Sequence, residues 1–187
     1  MTFFYQRCWV GAYLVCALGL LAPASARQAA ALPAEVQQAA GELSLRGQSR
    51  LRVWGFEVYD ATLWAAPGRE AGAIEAGPLA LELHYLRDFS ARDLAQRSIK
   101  EMRLSGEMPA EREQRWLEEM LRVFPDVRAG ERLLGVHRPG VGASFWLNGR
   151  FRGEVRDPEF AQRFFGIWLS PKTSQPGLRR ALLGQQP

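Results

Sequence analysis

Cysteine, histidine and lysine are nearly absent from this chain. Among 187 residues there are two cysteines, Cys8 and Cys16, and two histidines, His84 and His137. Both cysteines fall in the first stretch, so residues 27–187 can close no disulfide and must hold together by packing. Two histidines without a partnering cysteine do not supply a zinc site of the usual kind, and no metal is expected. No Gly-x-Ser-x-Gly occurs, which excludes a nucleophile elbow. Gly140-Val141-Gly142 lacks the third glycine and the strand-to-helix setting of a dinucleotide fingerprint, so no cofactor is expected either. Lys100 and Lys172 are the only lysines among 24 basic residues. The rest are arginines, interspersed with glutamate rather than clustered. At a net charge of +4 they do not read as a nucleic-acid surface.

What is present is a globular composition, 47% hydrophobic and 24% charged. The first 26 residues stand apart. Arg7 gives a positive n-region, Trp9 to Ala22 is uncharged and apolar, and Ala24-Ser25-Ala26 closes with small residues. This is the pattern of a signal peptide, and it ends too early for a membrane span. The chain therefore divides into a signal peptide at 1–26, an Ala- and Gln-rich leader at 27–41 and one domain at 42–187. The expected destination is periplasmic or secreted, with no stable membrane span after cleavage.

Periodicity sets the elements of that domain. Leu43 to Arg52 alternates as a strand, and Val53 to Ala65 continues the β character. Leu79, Leu81, Leu83 and Tyr85 share one face of a third strand, with Glu82 and His84 on the other. Ser90 and Asp93 resemble a capping box before a helix carrying Leu94, Ala95, Ile99 and Met102. Pro109 opens a second helix with Trp116, Met120 and Leu121 on its stripe, and Pro125 stops it. Leu133 to His137, Ala143 to Leu147 and Phe151 to Val155 are strands, the last two joined by Asn148-Gly149, the strongest hairpin signal here. Asp157-Pro158 caps a helix bearing Phe160, Phe164, Ile167 and Trp168, and Pro176 to Leu183 forms the last one. The sum is an α+β domain, an antiparallel sheet with helices packed on it.

One stretch bears on function. In Gly47-Gln48-Ser49-Arg50-Leu51-Arg52-Val53-Trp54, arginines alternate with apolar residues, so Arg50 and Arg52 share a face. On the inner face they would have to be paired or await an anionic ligand, because burying a lone guanidinium is costly. On the outer face they would pair with Glu57 or Glu82.

This stretch, followed by Leu94 to Gly106, by Phe145-Trp146-Leu147-Asn148-Gly149, by Phe160 to Trp168 and by Leu178 to Gly184, resembles the bacterial chalcone isomerase-like family. The resemblance implies an open-faced β-sandwich, a large antiparallel sheet covered on one side by helices. It implies that Arg50, with Arg52 close behind, stands where the plant enzymes attract a phenolate. It implies further that Tyr59 takes the place of an early threonine, with Thr62 as a substitute, and that Lys100 takes the place of the enzymes' lysine. The enzymes' tyrosine falls near Met108 or Pro109, neither of which can polarise a carbonyl through water, and their asparagine and last threonine, which contact the other ring, fall near Trp116 and Ile167. No catalytic residue is assigned.

The reading favoured by the retained parts is binding of a small apolar anion such as a fatty acid. Arg50, Arg52, Tyr59, Thr62, Tyr85 and Lys100 are the candidate ligand contacts. Trp54, Phe56, Trp64, Leu83, Ile99 and Met102 are the further cleft walls. Two alternatives stand beside it: an isomerase of chalcone isomerase type, and an envelope interaction protein with no ligand.

Overall fold

A computed structural model describes residues 34–68, 74 and 76–185. The expected signal peptide and the first part of the leader lie outside the described residues. The end of the leader forms helix α1, Ala34–Ala40. Six strands follow as an antiparallel meander in which neighbours in sequence are neighbours in the sheet: β1 Ser44–Val53, β2 Phe56–Ala65, β3 Leu79–Tyr85, β4 Arg132–Arg138, β5 Gly142–Leu147 and β6 Arg150–Val155. Helices α2, Ala91–Met102, and α3, Ala110–Val123, fill the β3–β4 connection, while α4, Pro158–Leu169, and α5, Pro176–Leu182, follow β6.

The two faces of the sheet differ as strand alternation requires. Ala61, Leu63, Leu81, Leu83 and Phe145 turn inward and build the main core with α2 to α5. Trp64, Ala80, Leu134, Val136 and Trp146 turn the other way and meet Val36 of α1. The expected open face is therefore partly covered by the leader helix. The rest of it carries ion pairs, including Arg132 with Glu82 at 2.7 Å and Arg138 with Glu154 at 2.8 Å. Glu82 is buried beneath Arg132, so that carboxylate depends on its partner, while the Arg138–Glu154 pair is half-buried.

Aromatic packing holds the helices down. Phe164 of α4 lies 5.3 Å from Phe145, 5.8 Å from Phe124 and 5.5 Å from Trp168, ring centre to ring centre. Edge-to-face contacts of this kind add about 0.5–1.5 kcal/mol beyond the area they bury. Gly47 lets α5 close on β1: a Cβ there would sit 2.1 Å from the Ala181 carbonyl oxygen. His137 faces inward on β4 against Phe165, and burial holds it below its ordinary pKa.

The helix starts follow the sequence signals. Ser90 Oγ accepts the Asp93 N–H at 3.1 Å, and the Asp93 carboxylate accepts the Ser90 N–H at 3.4 Å. The Asn148-Gly149 turn joins Leu147 to Arg150 with positive φ at both residues, 48° and 78°. A second turn of the same kind interrupts what the sequence reads as continuous β structure. Trp54 and Gly55 have φ of 50° and 82° and join Val53 to Phe56. A bulky residue in the left-handed region costs roughly 1–2 kcal/mol, which is why Trp-Gly does not announce a turn as Asn-Gly does.

Asp157 ties the helical layer together. Its Oδ1 accepts the N–H groups of Glu159 and Phe160, each at 3.0 Å, and its Oδ2 accepts the indole N–H of fully buried Trp116 at 2.9 Å. Burial pushes this carboxyl up, but those hydrogen bonds together hold it below its ordinary value. Asp157→Ala should lower the unfolding free energy by about 2–4 kcal/mol, from a lost cap and an orphaned indole N–H. Asp157→Asn, whose single amide oxygen can keep the cap but turns an NH2 group toward the Trp116 N–H, should recover only part of that loss in the same denaturant titration.

Candidate functional site

A cavity of about 540 Å³ lies between the β1–β3 part of the sheet and helices α2, α4 and α5. That volume falls in the range of roughly 300–1,000 Å³ usual for small-molecule sites. Leu51, Val58, Leu83, Phe124, Phe164 and Ile167 give it apolar walls. The exposed part of its lining includes Trp54 and Phe56 on the β1–β2 turn and Arg87 just after β3, with Asp88, Asp93, Arg97 and Ser174.

Two tyrosines from adjacent strands enter the lining. Tyr59 of β2 pairs with Tyr85 of β3 in register, and their rings meet edge to face at 5.9 Å. The Trp168 indole donates to the Tyr59 hydroxyl oxygen at 2.9 Å. With its oxygen accepting that proton, the phenol keeps its own O–H for a further acceptor. Burial pushes Tyr59 up to about 12, against the Trp168 hydrogen bond, and burial pushes Tyr85 higher still. Both therefore stay protonated donors at neutral pH.

Helix α2 supplies the charge. Arg97 and Glu101, one turn apart, pair at 2.6 Å, and Ser174 Oγ donates to the other Glu101 oxygen at 2.7 Å. Glu101 is buried while Arg97 is largely exposed. Both act electrostatically on the Tyr59 phenol, Arg97 favouring its ionisation and Glu101 opposing it. An apolar chamber with phenol donors and the guanidiniums of Arg87 and Arg97 in its lining suits an elongated apolar molecule ending in a carboxylate.

The sequence-derived candidates divide sharply. Tyr59 and Tyr85 line the cavity, as do Trp54, Phe56 and Leu83. Arg50 and Arg52 do not. Arg50 pairs across the strands with Asp60 at 2.6 Å and with Glu57 at 2.8 Å, and Arg52 shares Glu57 at 2.8 Å. The expectation of an inward Arg50 is thus corrected to an outward one. Its register partner is Asp60, whereas Leu51 pairs with Tyr59 on the cavity side. The shared carboxylates sit below their ordinary pKa, chiefly through hydrogen bonds from Arg50.

Thr62 is buried on the outer face, where Gln48 Nε2 donates to it at 3.1 Å. Trp64 also faces outward, against α1. Lys100 is exposed on α2 and is not among that helix's lining residues, which are Asp93, Leu94, Arg97, Ser98 and Glu101. Ile99 and Met102 are core residues outside the lining. Arg97, Glu101, Ser174 and the polar role of Trp168 were not legible beforehand. The i,i+4 spacing of Arg97 and Glu101 was visible as a pair, but not the cavity it borders.

A second groove, of about 620 Å³, lies over α3 and β6. Its charged residues pair among themselves, Arg115 with Asp157, Arg122 with Glu119 and Arg156 with Glu154. Among the described residues no group of three or more His, Cys, Asp or Glu converges as a metal site. No described helix is long and apolar enough to cross a membrane.

Comparison with known proteins places this geometry. An uncharacterised protein of Haemophilus influenzae is 32% identical over 135 residues, 71% of this chain. The chain spans 64% of that relative's length. The crystal structure of an Arabidopsis thaliana fatty-acid binding protein superposes with a TM-score of 0.59 at 12% identity, covering 76% of this chain and 87% of that one, which establishes a common fold. The family model described as chalcone isomerase-like matches residues 24–184. That span takes in every strand of the sheet and every helix that walls the cavity, and the chain belongs to the chalcone isomerase-like family.

Proposed function

We propose that the protein binds a fatty acid, or a similar small apolar anion, in the cavity between its sheet and α2, α4 and α5, without transforming it. The observation that carries this reading is the Tyr59 hydroxyl, held by Trp168 in an apolar chamber with its own proton free to donate and Arg97 nearby. A carboxylate accepting from the phenol and from the remaining guanidinium N–H groups would satisfy both. Its chain would lie along Leu83, Phe124, Phe164 and Ile167. The fold shared with a plant fatty-acid binding protein supports the same ligand class.

The lining also argues for binding over catalysis. Among the described residues it contains neither a threonine nor a lysine, the residue types that the resemblance assigns to the plant enzymes' site. The export pattern at residues 1–26 supports a place in the periplasm or outside the cell.

Displacement of a fluorescent fatty acid tests the site. Tyr59→Phe should weaken binding about tenfold or more, the loss of one hydrogen bond to a charged group. Leu83→Trp should fill the chamber and abolish binding. Arg50→Ala should leave affinity unchanged, because that guanidinium lies on the opposite face. Equal affinities for wild type and Tyr59→Phe, or no binding by wild type, would overturn the reading. A chalcone incubated with the protein should cyclise at its spontaneous rate; faster loss of its absorbance would restore the isomerase.

The tyrosines give a pH signature. A phenol whose pKa rises from 10 to about 12 on folding contributes stability in full below pH 10, and that contribution is lost as pH climbs toward 12. Denaturant titrations should therefore show wild type weakening across this window and Tyr59→Phe weakening less. Between pH 6 and 9 Tyr59 does not titrate, and fatty-acid affinity should be flat.

A further inference from the structure

The β1–β2 turn is shaped in a way that the fold does not require. Trp54 is 94% exposed and Phe56, two residues on, is 61% exposed. Trp54 also holds φ at 50°, a backbone setting that disfavours a large side chain, at the first position of a two-residue turn. The matching position of the other such turn is Asn148, the residue type that tolerates this geometry. A strained, solvent-facing tryptophan contributes nothing to the core, so its reason lies outside the molecule.

Its neighbours indicate what it meets. Arg87 stands over the Phe56 ring at 5.1 Å, is exposed, and has no ion pair among the described residues. Two carboxylates share the exposed lining, Asp88 accepting the Ala129 N–H at 2.8 Å and Asp93 capping α2. The tip itself combines an indole, a phenyl ring and a guanidinium with no ion pair among the described residues, and all three belong to the exposed part of the cavity lining. Tryptophan favours the headgroup level of a bilayer, where its ring is half in hydrocarbon and its N–H is wet, and arginine at that level meets phosphate.

We propose that this turn docks the protein on an anionic lipid bilayer, Trp54 and Phe56 entering the headgroup layer and Arg87 contacting lipid phosphate, with this exposed part of the cavity lining facing the membrane. The docking stands whatever the cavity holds. Its use, passing an apolar ligand between bilayer and cavity without exposure to water, rests on the fatty-acid reading.

The test is co-sedimentation of the full chain with vesicles of phosphatidylcholine and phosphatidylglycerol free of fatty acid, and with phosphatidylcholine alone. The N-terminal segment is present in all proteins compared, so differences report the turn. Trp54→Asn should reduce partitioning at least tenfold while leaving the melting temperature equal or higher, because asparagine relieves the backbone. Phe56→Ser should act in the same direction. Arg87→Gln should weaken binding to the anionic vesicles and erase the preference for them over neutral ones. Tyr59→Phe should partition as wild type even as it loses fatty acid, which separates a failure of docking from a failure of the ligand assignment. Wild type remaining in the supernatant, or Trp54→Asn partitioning as wild type, overturns the proposal. So does capture of a protein through Trp54 without vesicle binding.

Discussion

Adjacent residues of a strand point to opposite faces, and in this sheet that rule separates charge from apolar surface. Across the β1–β2 pair, Leu51 meets Tyr59 on the cavity side while Arg50 meets Asp60 on the other. Arg50, Arg52, Glu57 and Asp60 then neutralise one another at the edge of solvent. If this register slipped by one residue, two guanidiniums would enter an apolar chamber without partners and Leu51 would be turned to water. Neither is tolerable, so the register is firmly specified. The cavity exists because its sheet wall has been cleared of charge.

What polarity the cavity retains is reached from the helices. Trp168 of α4 orients the Tyr59 phenol, Arg97 and Glu101 come from α2, and Ser174 comes from the segment before α5. The indole makes a phenol into a directed donor without adding charge, and burial keeps that phenol protonated. The β1–β2 turn joins backbone strain to exposed aromatic rings, in a tryptophan that the core does not bury.

Much of the domain is local in origin and was readable from local pattern. The Ser90–Asp93 box, the Asp157-Pro158 cap and the Asn148-Gly149 turn each depend on side chains meeting backbone a few residues away, and each forms. The apolar stripes of α3 and α4 and the inward face of β3 follow from periodicity alone, whereas Trp64 and Thr62 of β2, expected in the cleft, face the other side. The Arg-Leu-Arg-Val alternation even carried the answer for Arg50 and Arg52, since Leu51 and Val53 claim the inner parity. The Trp54-Gly55 turn was hidden because tryptophan is a poor occupant of the position it takes.

The sequence by itself determined the α+β class, the element order and which residues of each element share a face, because those depend on short-range geometry. The tertiary structure alone decided which helix face borders the cavity and which side chains converge there. Trp168 lies 109 residues from Tyr59, and Ser174 lies 73 from Glu101. No periodicity reaches across such separations. Those contacts form only when four helices settle together on one sheet, by the packing of buried side chains rather than by any signal in the chain near either partner.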